Sequence, residues 1–343
     1  ANTERYNAVI DKVKALDNII FSVKNTRTDF WRYNLFNPVI GTGAKEQAME
    51  FLCQDGYNFK NSIPYYDVIR MAKGPKELGG QGGMKYGYKA GIRTAWGWLS
   101  ADGWCGPYIK REEWLGANIY GFSRLTWDVD SDPLVLAKEW AAIEFEVESK
   151  SKVAEEIAEI LMLSEDLILK SRYFKNYSIK KEGWLPSNNW IRDELIGGGT
   201  NSNDKLSVGK SFSPGTIKSI FNSETIEEDI LEKEEALAIM NTMLSKFADI
   251  KDQIPEKEKA MELYNTLIYG KYLIGTLRYY VSGMFRFYNG EYDKSVDDLR
   301  IWKKYWDFYN SEIPKLPGTA SLMLDGGMVD TCIEAMQFMN QSF

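Results

Sequence analysis

The sequence contains no histidine at all. Ser-His-Asp and Cys-His catalysis and His-ligated zinc or iron sites are therefore excluded for these residues, and acid–base work must fall to carboxylates, tyrosine or lysine. Cysteine is scarce as well. Cys53, Cys105 and Cys332 stand far apart and in odd number, which supports neither a disulfide framework nor a paired metal knuckle and reads as buried thiols. No run of about 18 apolar residues occurs, so no membrane-spanning segment is expected. Positive charge is not concentrated anywhere: 42 Lys and Arg stand against 49 Asp and Glu for a net charge of -7. No basic cluster stands clear of neighbouring acids, which excludes a nucleic-acid footprint.

What is present is the composition of a globular protein, with 44% hydrophobic and 27% charged residues over 343 positions, enough for two domains with sizeable cores. The chain begins at Ala1, without methionine and without the charged-then-apolar pattern of a signal peptide. Two readings stay open: a processed or excised segment, or a mature protein from which a leader was removed. The missing leader pattern favours the cytoplasm, with secretion after processing as the other reading.

Along the chain, Tyr6, Val9, Ile10 and Val13 recur at three- and four-residue spacing, so Thr3 to Leu16 reads as an amphipathic helix. It runs into Asn18 to Val23, a β-branched and aromatic run suited to a buried parallel strand. A helix-like piece from Gly43 to Ala48 precedes a second apolar run, Met49 to Cys53, and Ala90 to Trp98 is a third strand candidate. These strands are expected to be closing strands of a (β/α) barrel. The glycine cluster Gly79, Gly80, Gly82 and Gly83 lacks the Gly-Lys-Ser/Thr ending of a phosphate loop, and no helical pattern is read after it, so it is taken as a flexible turn.

From Pro133 onward the pattern becomes helical, over Leu134–Phe145, Val153–Leu169, Glu227–Ile250 and Pro255–Phe287. The segment from Gly183 to Pro214, rich in Gly, Asn and Ser, is expected to be an exposed connection. Aromatic residues recur in the helical part, among them Tyr269, Tyr272, Tyr279, Tyr280, Trp302, Tyr305 and Trp306. Helical spacing makes them core or subunit interface, with sugar stacking as the rival reading.

Three stretches resemble the α-glucuronidases of glycoside hydrolase family 67. Lys24-Asn25-Thr26-Arg27-Thr28-Asp29-Phe30 is similar to the family's Lys-x-Gly-Pro-x-Asp-Phe, and Gln54-Asp55-Gly56-Tyr57 to the strand end Gln-x-Glu-Tyr. Trp114 to Asp128, followed by Ala137-Lys138-Glu139-Trp140, resembles the signature where the barrel meets the helical domain. The resemblance implies a partial (β/α)8 TIM-type barrel of α/β class, closing strands only, over residues 1–128, and an all-α C-terminal domain over 129–343.

That family removes glucuronic acid from xylan fragments with inversion. One carboxylic acid protonates the leaving oxygen and a carboxylate across the sugar, roughly 6.5–9.5 Å away, activates water. The resemblance places Asp29 in the water-activating pair and Lys24 against polar groups of the uronic acid. Read from the residues alone, Asp29 is equally a turn residue or helix N-cap, and Lys24 a solvated strand end. The family's second carboxylate, a Glu, falls on Gly56, and a one-residue slip brings Asp55 to its place, where an aspartate is shorter by one methylene; a turn before Gly56 is the other role for Asp55. The expected partners are a uronic-acid-containing oligosaccharide, a second polypeptide supplying the earlier barrel strands with the general-acid Glu, and a second copy through the helical domain. No metal or organic cofactor is implied.

Overall fold

A computed structural model of the chain describes residues 3–24, 37–43, 45–53, 63–74, 82–98, 113–172, 223–319 and 327–343. Helix α1 (Thr3–Val13) leads through a turn into strand β1 (Phe21–Lys24). Strands β2 (Gln47–Leu52) and β3 (Thr94–Trp98) follow, separated by the short helices α2 (Val68–Lys73) and α3 (Met84–Lys89). All three strands are parallel in the order β1-β2-β3. This is the succession expected of closing barrel strands; a closed barrel is not formed by the described residues.

Local chemistry moves several boundaries away from the sequence reading. The piece from Gly43 to Ala48 is not helical: turns and bends lead straight into β2 at Gln47. Gly41 and Gly43 have φ of 75° and 86°, in the left-handed region that a right-handed helix excludes. The Gln47 amide then locks the turn, donating to the carbonyls of Val39 and Thr42 at 2.8 and 2.9 Å and accepting from the Gly41 N–H at 2.8 Å. Strand β3 begins at Thr94 because Ala90 and Gly91 terminate α3, Gly91 at φ 93°. That helix does follow the glycine cluster, contrary to the expectation, with Gly83 at its N-cap. Its sequence, Met-Lys-Tyr-Gly-Tyr-Lys, is too short and too polar to show helical periodicity.

The helical part begins before Pro133. Helix α4 (Glu113–Trp127) buries Trp114, Ala117, Asn118, Gly121, Phe122 and Leu125 on one face. Asp132 caps α5 (Pro133–Glu144), its carboxylate accepting from Leu134 N at 2.8 Å with Pro133 opening the helix. Then come α6 (Lys152–Arg172), α7 (Ser223–Ile250), α8 (Lys257–Tyr288), α9 (Tyr292–Ser311) and α10 (Gly327–Phe338). The connection expected over residues 183–214 lies outside the described residues.

Helices α8 and α9 form a hairpin that packs on α7, which in turn lies along α6. The aromatic rows of α8 and α9 are core: Tyr269, Tyr280 and Trp302 are buried, and Tyr272 stacks on Phe308 at 3.8 Å. One continuous core runs from Val23 and Met49 in the sheet to Met336 in α10. The segment after β2 is stitched to the helices: Asn118 donates to Tyr65 O at 2.7 Å and accepts from Asp67 N at 2.8 Å, while Tyr66 N donates to Ser164 Oγ at 2.8 Å.

Gly121 sets how closely α4 approaches α2. A Cβ placed there would lie 2.3 Å from Val68 Cγ2 and 3.1 Å from Val68 Cβ, and Val68 is fully buried and β-branched. Gly121→Ala gains about 1 kcal/mol of helix propensity, yet the rigid contact should leave a net destabilisation of about 1–3 kcal/mol. Urea unfolding followed by circular dichroism measures it; a stabilised variant would contradict this packing.

Candidate functional site

Parallel strands place all their C-terminal ends at one edge, and the alternation of side chains divides the sheet into two faces. Val23, Met49, Phe51 and Ala95 point to the face covered by helices. Gly97 allows that cover to be close, since a Cβ there would meet Cys53 Sγ at 2.8 Å and the Phe122 ring at 3.3 Å. Ser22, Lys24, Glu50, Thr94 and Trp96 share the other face with the buried Ala48; of these five side chains all but the half-buried Glu50 are exposed, so the face is largely open.

On that open face the register aligns Lys24, Glu50 and Trp96 in one row across the three strands. The Trp96 indole N–H donates to Ser22 Oγ at 2.9 Å, and the Ser22 hydroxyl donates to Glu50 Oε2 at 3.4 Å. An ammonium, a carboxylate and an aromatic plate thus stand side by side, with the carboxylate oriented through a hydroxyl. If the sheet curls into a barrel, such a face lines its interior. In chemical terms the row offers a cation for an acidic ligand, an acceptor for hydroxyls and a flat apolar surface.

Of the residues singled out from sequence, Lys24 is on this face, at the C-terminal end of β1, and its carbonyl accepts from Asn37 Nδ2 at 3.1 Å. Lys24 and Asn37 thus stand together at this edge of the sheet. Asp29 itself and Asp55, in the segment after β2, lie outside the described residues. Glu50, Ser22 and Trp96 were missed as site residues. The available signal was the alternation in Gln47 to Phe51, which sets an acid between two core side chains of a strand.

Cys53 closes β2 on the covered face, 1% exposed. Burial, with the Asp67 carboxylate adding to it, pushes its thiol up to about 12, so it is a packing residue rather than a nucleophile. Cys332 is likewise buried and free, its thiol raised by desolvation; Cys105 lies outside the described residues. Among the described residues no cluster of Cys, Asp and Glu could hold a metal ion, and no helix is long and apolar enough to cross a membrane.

In a Cys105→Ser background, neither remaining thiol should react with an aromatic disulfide reagent near pH 8 until denaturant is added. Because a solvated thiol of the unfolded chain ionises near 9.0 while the folded one waits until about 12, this burial also lowers stability progressively across that alkaline window. Rapid labelling of native protein would show that solvent reaches β2.

Comparison with known proteins adds one match. Residues 112–181 fit the family model described as Glycosyl hydrolase family 67 C-terminus, a stretch that opens with α4 and takes in α5 and α6. No curated protein matches the chain. Over residues 112–181 the chain is thus similar to the C-terminus of glycosyl hydrolase family 67, the family that its motifs resemble.

Proposed function

We propose that the chain is part of an inverting glycoside hydrolase resembling α-glucuronidase, acting on glucuronic-acid-decorated xylan oligosaccharides. The observation that carries this reading is the row Lys24, Glu50, Trp96 on the open face of a parallel sheet, in a chain with a family 67 C-terminal segment. Asp29 and Asp55 follow β1 and β2 in sequence, and barrel enzymes gather their reacting groups after the C-terminal ends of strands.

In this reading Asp29, with Asp55 in the place of the family's Glu, activates the attacking water as general base. A Glu from the earlier strands protonates the leaving oxygen, the two carboxyl sites standing roughly 6.5–9.5 Å apart. Lys24 holds the uronic carboxylate by a charge-assisted bond, and Glu50, fixed by Ser22, accepts sugar hydroxyls. The earlier strands and the acid come from polypeptide outside these residues, and covering the open face and the edges of a three-stranded sheet is the physical reason for such an assembly. Residues 1–128 then form the closing part of the barrel and 129–343 the helical domain, which offers a surface for a second copy. The reaction requires no metal or organic cofactor.

Turnover of decorated xylo-oligosaccharides should appear once the chain is combined with the polypeptide carrying the earlier strands. In that assembly Asp29→Asn should reduce kcat by about 10²–10⁴-fold with unchanged circular dichroism; a variant with normal rates would remove Asp29 from catalysis. Lys24→Met should raise KM for the acidic substrate more than it lowers kcat, and equal loss on an uncharged glycoside would deny it that partner. Persistent inactivity of the intact assembly would favour the alternative, a non-catalytic carbohydrate-binding or structural descendant, for which Gly56 at the position of the family's Glu speaks.

A further inference from the structure

On the covered face, towards the N-terminal edge of the sheet, lies a concave site. The end of α4, helix α3 and the start of β3 enclose a cleft of about 260 Å³. Met49, Met84 and Leu125 form its buried floor. Its rim holds Tyr88, Arg93, Trp127, Asp128 and Asp130. Its lining residues Met49 and Ala95 point to the covered face, opposite to the row of Lys24, Glu50 and Trp96, so this cleft is separate from that row.

Trp127 is the feature that requires explanation. It is the last residue of a well-packed helix, yet its side chain is 91% exposed. Among the described residues nothing bonds its indole N–H. Burying a large apolar side chain is worth about 1.5–3 kcal/mol, and here that surface contributes nothing to the fold. Tyr88, on the same rim, is 50% exposed. The Arg93 guanidinium lies 4.0 Å from the Tyr88 ring centroid and donates to the Tyr88 and Ile92 carbonyls at 2.7 and 3.0 Å, which fixes both groups. Asp128 accepts from Asp130 N at 2.9 Å, and the Asp130 carboxylate is paired with Lys85, which holds it below the usual carboxylate range.

Two exposed aromatic rings, a guanidinium with further donors and two positioned carboxylates around an apolar floor match one ligand chemistry well. A pyranoside has a C–H face that stacks on an aromatic ring, and equatorial hydroxyls that both donate and accept. Lys85 and Arg93 offset Asp130 and Asp128, so the rim offers no net field that would select an ion of either sign, and a purely apolar partner would strand those charges. We infer that this cleft is a non-catalytic carbohydrate-binding site that takes a neutral pyranoside segment, such as a stretch of undecorated β-xylan backbone. The inference goes beyond the catalytic reading, because it requires that the chain meet carbohydrate and not that it cleave any.

The test is calorimetric titration of the full chain with xylohexaose, alongside sedimentation analysis. Wild-type protein should bind, Trp127→Ala and Arg93→Ala should each weaken binding by about tenfold or more, and Trp127→Phe should retain most of it. Because Trp127 supports no packing, the Ala variant should unfold within about 0.5 kcal/mol of wild type, so lost binding cannot be ascribed to misfolding. Absence of wild-type binding at about 10 mM ligand, or equal binding by Trp127→Ala, overturns the proposal. A change of association state in Trp127→Ala overturns it too, since the indole then belongs to a protein interface. Xylohexaose binding that depends on Trp127, together with an inactive intact assembly, would sink the catalytic reading and leave this site standing, so the two failures are distinguishable.

Discussion

Trp114 is the point at which sheet and helices are joined. It is fully buried in the first turn of α4 and touches three other helices: its ring meets Trp140 of α5 at 6.4 Å and Phe247 of α7 at 6.1 Å, and its indole N–H donates to Thr266 Oγ1 of α8 at 3.1 Å. An indole buried on all sides needs its N–H satisfied and its shape matched, so it admits one arrangement of these helices. Seven to eight residues along the same helix, Gly121 and Phe122 rest on Val68 and on the covered face of β3. The orientation of the sheet is therefore dictated by the helical part, and the open face with its row of Lys24, Glu50 and Trp96 is held by packing that begins at Trp114.

Charge is used inside the helical part in the same spirit. Asp298 of α9 accepts from Arg278 at 3.0 Å and from Arg286 at 2.6 Å, both on α8, and Arg278 reaches Glu234 on α7. Each of these arginines is mostly buried, and the Arg278 guanidinium also lies 4.0 Å from the Tyr279 ring centroid. Buried ion pairs of this kind add little net stability over an apolar substitute, but loss of one partner leaves a charge that is expensive to keep out of water. They fix the register of three long helices that apolar stripes alone would allow to slide. Arg70 and Glu165 make a comparable tie between α2 and α6.

The two faces of the small sheet are chemically different. On the open face, the row combines a cation, a carboxylate and an aromatic ring, the groups that an acidic sugar would require. On the covered face, towards the N-terminal edge, the rim of Trp127, Tyr88 and Arg93 surrounds an apolar floor and suits a neutral one.

Much of this was legible in the residues. The absence of histidine directs acid–base work to carboxylates, the runs Asn18–Val23 and Met49–Cys53 mark β1 and β2 to within a few residues, and apolar spacing of three and four marks α5 to α8. These signals are local: propensity and period are properties of neighbouring residues. The piece from Gly43 to Ala48 reads as helix, whereas Gln47 opens β2 and folds its side chain back on the preceding turn, and α3 goes unread because six residues with one aliphatic side chain, Met84, carry no period. Alternation in β2 separates Met49 from Glu50, but which of the two faces water depends on where α4 lies, and that depends on Trp114 meeting residues up to 152 positions away. The sequence by itself determined the strands, most of the long helices and the chemistry available; the tertiary structure decided which face of the sheet stays open and which aromatic ring is left in solvent, because both are contests among distant side chains for the same buried space.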